Sequence, residues 1–339
     1  LMHKLIKIGV YPLLLILLSV VGCRGGSETV LEGVAIDMAA SVSQSKALIE
    51  SVGSLQQVSI GIYGYKEQLT NSGNRFMVFD NQMLNYSDDE GWSYSPKRYW
   101  DMQTRYSFIA YAPYTSNITS DGTNSIIISD IPQYQNSNES TAKDYVVALS
   151  NNSAKIYVEN YNKTVNLAFH HILANFQIWA YYEGFDTEFK ITGLSIGTDT
   201  DGQKVPSIDA QRNYTQQFTQ ERANGIFNSV NWNGNSVSLP FNGYIVPKET
   251  AAQAASFLIV PFVADASGNK KLPLTIEYTK NGVAQKPATV SIGISGFESD
   301  NKYRLDLKFE SKGAVVVPVD IQIKNWTETV VDPSDIHNW

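Results

Sequence analysis

The stretch Asn301-Lys302-Tyr303-Arg304-Leu305-Asp306-Leu307-Lys308-Phe309-Glu310 alternates without a break. Tyr303, Leu305, Leu307 and Phe309 fall on one side, and Lys302, Arg304, Asp306 and Lys308 on the other. Successive side chains of an extended chain point to opposite faces, so a period of two marks a strand with one buried face. The pattern recurs in both directions along the chain. Toward the C-terminus, Val315, Val317, Val319, Ile321 and Ile323 alternate with Asp320, Gln322 and Lys324. Pro318 sits inside that run and has no N–H to give to a ladder, which puts the strand at a sheet edge. Toward the N-terminus, Leu272, Leu274, Ile276 and Tyr278 alternate, as do Val58, Ile60 and Ile62, and Val34, Ile36, Met38, Ala40 and Val42.

Turn chemistry separates these runs. Asn71-Ser72-Gly73-Asn74, Asp199-Thr200-Asp201-Gly202, Asn233-Gly234-Asn235 and Asn281-Gly282 are rich in residues that tolerate left-handed backbone. No long segment carries an apolar stripe of helical period. Across Thr164 to Tyr182 the alternation changes parity: Val165, Leu167 and Phe169 give way to Ile172, Ala174, Phe176, Ile178 and Ala180. A one-residue phase change predicts a bulge near His170-His171. The expected fold class is all-β. A chain of 339 residues exceeds one ordinary sandwich and suits two in tandem. The expected division is 1–22 as a signal peptide, 23–160 as an N-terminal β-sandwich and 161–339 as a C-terminal one.

The N-terminus reads as an export signal. His3, Lys4 and Lys7 form a positive region, and the apolar run from Ile8 to Val21 is short for a membrane-spanning helix. It ends in Val20-Val21-Gly22-Cys23, the pattern of a lipobox, in which the cysteine thiol receives a diacylglyceryl group before cleavage. Cys23 is the only cysteine, so an internal disulfide is excluded and lipidation is its expected role. Two or three acyl chains anchor durably, each buried CH₂ adding about 0.8 kcal/mol. Arg24-Gly25-Gly26-Ser27-Glu28 then forms a flexible tether. Net charge is -7 with no basic stripe, which argues against nucleic acid.

Motifs with catalytic or metal chemistry weigh little. Gly193-Leu194-Ser195-Ile196-Gly197 fits the spacing of a nucleophile elbow, but that motif works only between a strand and a helix, and no helical pattern follows. His170 and His171 are adjacent, so a regular strand sends them to opposite faces: one packed, one exposed. Asp199-Thr200-Asp201-Gly202 opens like a calcium loop, yet the twelfth position is Ala210 where a glutamate is needed. Asp88-Asp89-Glu90 reads as a solvated turn. No nucleophile meets a base, so the reading is a non-enzyme without cofactor. Trp92, Tyr94, Tyr99 and Trp100 belong to an aromatic-dense stretch reaching Tyr114. Such rings either build a core or stack on sugars, and these four are the candidate glycan contacts.

An ordered series of motifs resembles a known family. It runs through Ser45-Lys46-Ala47, the strand Val58 to Tyr65, Trp92-Ser93-Tyr94-Ser95-Pro96, Tyr99-Trp100, and Tyr106-Ser107-Phe108-Ile109-Ala110-Tyr111-Ala112-Pro113. Lys143-Asp144-Tyr145-Val146-Val147-Ala148, then Val165 to Ala174, Asn301 to Leu305 and Ile323-Lys324-Asn325-Trp326 complete it. Behind a lipobox, this series resembles the fimbrillin-like proteins of Bacteroides-type bacteria, subunits of the type V pilus. The resemblance implies two transthyretin-like β-sandwich domains, travel to the outer membrane as a lipoprotein, and a cell-surface or fimbrial location. It implies host or bacterial surface ligands, and partnership with other pilus subunits by β-strand donation. In polymerising members a protease cuts after a basic residue and removes the first strand; a neighbour's strand then fills the groove. Here the corresponding position is Lys46-Ala47, with lysine where the best-known members have arginine. The alternatives are an uncleaved, lipid-anchored surface protein with Lys46 in an ordinary turn, and a glycan-binding surface lipoprotein.

Overall fold

The alternation around Leu305 becomes the centre of a sheet. Asn301–Glu310 lies parallel to Ala174–Glu183 on one side and antiparallel to Val316–Asn325 on the other. Ala252–Ile259 and the short Tyr134–Asn136 complete five strands, with Val316–Asn325 at the edge, where Pro318 falls at a register shift. The computed structural model describes residues 33–42, 49, 51–68, 74–101, 104–120, 125–150, 163–197, 205, 212–217, 225–228, 236–264, 271–294, 296–310 and 316–325. Cys23, Lys46, Ala47 and the turn Asp199 to Gly202 lie outside the described residues.

A second sheet faces the first. Phe189–Ile196 pairs with Pro273–Lys280, which turns at Asn281-Gly282 into Val283–Ala284. Both turn residues have positive φ, 49° and 77°, the conformation that the Asn-Gly pair favours. The two inner faces enclose one core holding Phe176, Ile178, Phe189, Ile191, Phe257, Leu274, Ile276, Leu305 and Phe309.

Earlier strands form a separate body. Seven strands close on themselves: Met38–Val42, Val165–His171, Val146–Ser150, Thr104–Ala112, Ile60–Gln68, Arg75–Ser87 and Gly91–Ser93. The core inside this barrel includes Ile36, Met38, Ile60, Ile62, Phe79, Leu84, Trp100, Phe108, Leu167 and Phe169. The expected division at 160/161 therefore cuts across pairings. Val165–His171 hydrogen-bonds within the barrel, while Tyr134–Asn136 pairs with Ala252–Ile259 in the other sheet. The parity change at His170-His171 is likewise a crossing and not a bulge: the chain bends at Ile172-Leu173 and enters the five-stranded sheet. Each sheet sets its own inward face, so the parity resets between them.

Ile60–Gln68 is covered on both sides instead of one. Ile60 and Ile62 face the barrel core, and Tyr63 and Tyr65 join a third cluster outside it with Ile109, Tyr111, Ile126, Ile128, Leu258 and Val260. Two glycines make this possible. A Cβ on Gly61 would collide with the Tyr111 ring, and one on Gly64 would stand 2.6 Å from Phe79. Tyrosine hydroxyls tie the outer layer down: Tyr63 donates to the Ile118 carbonyl at 2.6 Å, and Tyr111 to the Thr115 carbonyl at 2.6 Å.

Burial pushes the Tyr94 and Tyr111 phenols up to about 12, and raises Tyr63 from its ordinary value. Unfolded tyrosine titrates near 10. The folded state thus holds these protons more tightly, and that stability is complete below about pH 10 and lost as pH climbs toward 12. Tyrosinate absorbance near 295 nm should accordingly rise together with loss of near-UV circular dichroism in that window. Free titration of all tyrosines at about pH 10 with the fold intact would contradict the burial.

Candidate functional site: the first strand and its slot

Val34, Ile36, Met38, Ala40 and Val42 share one face of the first segment, and the structure turns that face inward. Ile36, Met38 and Val42 are buried in the barrel core, with Val34 and Ala40 packed against it. Met38–Val42 lies parallel to Val165–Phe169, from Met38 opposite Val165 to Val42 opposite Phe169. Among the described residues its other edge meets only Trp92 of the short strand Gly91–Ser93. This one strand closes the barrel. Around it, the Val165 N–H donates to the Asp37 carbonyl at 2.8 Å and the Trp100 N–H donates to the Val34 carbonyl at 2.9 Å. The Tyr94 hydroxyl donates to the Ile36 carbonyl at 2.7 Å.

The chain beyond the first strand is held independently. Ile49 and Leu55 are buried in the same core. Leu55 ends the short helix Val52–Leu55, whose N-terminus is capped reciprocally: Ser51 Oγ accepts from the Ser54 N–H at 3.2 Å, and Ser54 Oγ accepts from the Ser51 N–H at 2.8 Å. Lys46 and Ala47 stand in sequence between these two anchored segments.

The candidate glycan aromatics separate between core and surface. Tyr94 and Trp100 are 7% and 6% exposed, inside the barrel core. Tyr94 meets Phe79 edge-on at 5.1 Å, and Trp100 meets Tyr106 edge-on at 4.8 Å. Trp92 is half-buried, packed against that core and edge-on to Tyr86. Tyr99 alone of the four is exposed. Four rings spread between interior and surface make no common platform for a sugar.

Other motifs resolve the same way. His171 is buried against Asp144, its Nδ1 3.0 Å from Oδ1, while the half-exposed His170 holds Asp300 at 3.0 Å. Asp300 also accepts from the His171 N–H at 3.2 Å, so the pair fastens the crossing between the two bodies, a role that adjacency of two histidines did not reveal. Ser195 sits within Phe189–Ile196, opposite Ser238 and Thr275, and no helix follows among the described residues. Asp88, Asp89 and Glu90 form an exposed turn. Among the described residues no group of three or more His, Cys, Asp or Glu is placed to hold a metal, and no helix is long and apolar enough to cross a membrane.

Residues 54–326 match the model of the fimbrillin-like family. The chain belongs to that family. The fold is similar to that of a fimbrial protein from Bacteroides vulgatus, with a TM-score of 0.59 at 18% identity, covering 86% of this chain and 99% of the other. It is also similar to a candidate cell adhesion protein from Bacteroides ovatus, with a TM-score of 0.51 at 14% identity over 88% of this chain and 99% of that one. No curated protein sequence matches the chain. A fimbrillin-like protein is structural and not an enzyme.

Proposed function

We propose that this fimbrillin-like chain is a surface subunit of a type V pilus or related adhesive fibre, delivered as a lipoprotein through Cys23 and joined to its neighbours by strand exchange. The observation that carries the reading is the position of Met38–Val42. It closes the barrel as a single inserted strand, and the basic residue Lys46 follows its last residue, Val42, four positions on. Removing it bares the edge of Val165–His171 and the apolar floor around Leu167, Phe169 and Phe79. An exposed, unpaired edge over an apolar slot takes an added strand from another chain. Ile49 and Leu55 keep the remaining chain seated after a cut at Lys46-Ala47. The Val316–Asn325 edge strand is the natural donor, since among the described strands only one of its edges is paired.

N-terminal sequencing and intact mass of protein from outer membranes and from sheared filaments test this. A chain starting at Ala47 in filaments is the expected result. A chain starting at acylated Cys23 and confined to membranes overturns strand exchange and leaves an anchored surface protein. Recovery of a Cys23→Ser variant in the membrane fraction overturns the lipid anchor.

A further inference from the structure

Among the described residues, six of the nine large apolar side chains that the fold leaves in solvent fall into two groups, with Val52, Met83 and Val263 outside them. Among the described residues the three most exposed are Phe185 at 71%, Val283 at 64% and Ile245 at 61%. They come from three separate segments that hydrogen bonds gather at one end. The Val246 N–H donates to the Phe189 carbonyl, and the Asn281 N–H donates to that of Glu188. Lys248 pairs with Asp186, next to Phe185. Ala174–Glu183 enters its sheet at the crossing and runs away from it, so this tip lies at the end of the sheet farthest from the barrel.

A second group lies at the opposite extreme. Phe76, Met77 and Tyr99 are each about half exposed. Phe76 and Met77 pair with Lys66 and Tyr65, at the end of the barrel strands remote from His171. Tyr99 bridges to Ala35, ahead of the first strand on the same rim. These residues border the mouth of the barrel that faces away from the crossing. Exposed Lys97, Arg98 and Lys163 flank it.

We propose that the tip of one molecule, Phe185, Ile245 and Val283, docks on the Phe76–Tyr99 mouth of a second copy of this chain. Each patch is small, and a contact that buries both removes from water the apolar groups that the single chain leaves exposed. The partner is another copy because the two patches sit at opposite ends of one chain. Unlike ends that meet form a heterologous contact, which extends as a filament wherever its rotation does not close a ring, as a fibre requires. Mouth-to-mouth pairing would set Lys97, Arg98 and Lys163 against themselves, with only Asp37 and the Lys66–Asp101 pair beside them, whereas the tip sets Glu188 and Glu249 against Lys190, beside its internal Asp186–Lys248 and Glu183–Lys308 pairs. The contact rests on the reading of the chain as a fibre subunit but needs no strand removal. It would align neighbours before or alongside strand exchange.

The test uses the full chain carrying Cys23→Ser, which keeps the first strand and leaves no cysteine. Sedimentation equilibrium should show self-association with a Kd of about 0.1–1 mM, the strength expected of a small interface. Phe185→Asp and Tyr99→Asp should each weaken it about tenfold or more while thermal melts stay unchanged. In the same background, Phe185→Cys mixed with Phe76→Cys should give the mixed disulfide in excess over both symmetric ones. A monomer at every concentration overturns the proposal. So does a dominant symmetric dimer of the Phe185→Cys chain, which would mean tip-to-tip pairing. Filaments that form only after loss of the first strand, from a chain otherwise monomeric, overturn the end contact while leaving strand exchange standing.

Discussion

A chain that begins at Ala47 is expected to unfold at far lower denaturant than the full chain, and to recover when a peptide spanning residues 33–43 is added. The magnitude follows from what the segment buries. Ile36, Met38 and Val42 are each under 9% exposed. Burying such side chains is worth about 1.5–3 kcal/mol apiece, so their loss costs the barrel about 4–9 kcal/mol, the upper end being a ceiling. Whole domains are stable by only about 5–15 kcal/mol, so the truncated barrel stands near its unfolding limit. Urea titration followed by tryptophan fluorescence measures the loss. Titrating the peptide back should raise the midpoint in proportion to the logarithm of its concentration, as for any ligand that binds only the folded state. A scrambled peptide that breaks the alternation of Ile36, Met38 and Val42 should not rescue. An unchanged midpoint in the truncated chain would show that the strand is an ornament on the barrel and not its closure.

This expectation was partly legible in the sequence. The alternation from Val34 to Val42 announced a strand with one buried face, and the face is the one that enters the core. Its partner was not legible. A parallel pairing with Val165–Phe169 joins segments more than a hundred positions apart, and nothing in local periodicity names a distant neighbour. The same limit explains the crossing at Ile172-Leu173. Parity records which way side chains point, not which sheet the next strand joins, so a change of sheet and a bulge write the same signature. Asn281-Gly282 was readable because the turn depends on those two residues alone. The layer over Tyr63 and Tyr65 was illegible for a different reason. A tyrosine on the outer side of a strand looks like a solvent-facing residue, yet both rings lie under a further layer, with hydroxyls bonded to the Ile118 carbonyl and Ser120 Oγ at 2.6 Å. Gly61 and Gly64 were the available signal, since glycines within a strand mark a close approach.

The aromatic stretch supplies the other large effect, because its residues divide between core and surface. Trp100→Ala is expected to destabilise the barrel by about 3–5 kcal/mol, the range for truncating a buried aromatic. The indole has edge contacts to Tyr106 at 4.8 Å and Phe108 at 6.2 Å, and those rings are themselves fixed by neighbours, so the cavity has little freedom to collapse. Tyr99→Ala, one position earlier, is expected to move stability by no more than about 0.5 kcal/mol, because its ring is largely in solvent. Urea unfolding of the two variants side by side separates the explanations for this stretch. If the rings served a ligand, Trp100→Ala would leave the midpoint in place and abolish binding to a polysaccharide array. If they serve the fold, Trp100→Ala lowers the midpoint and any loss of binding follows unfolding, while Tyr99→Ala retains the midpoint and affects only contacts made at the barrel mouth. The contrast between adjacent residues matters more than either value. A connecting segment that buries Trp100 and presents Tyr99 fastens the Val34 segment from inside, through the Trp100 N–H to the Val34 carbonyl, and offers an apolar ring to whatever meets the mouth from outside.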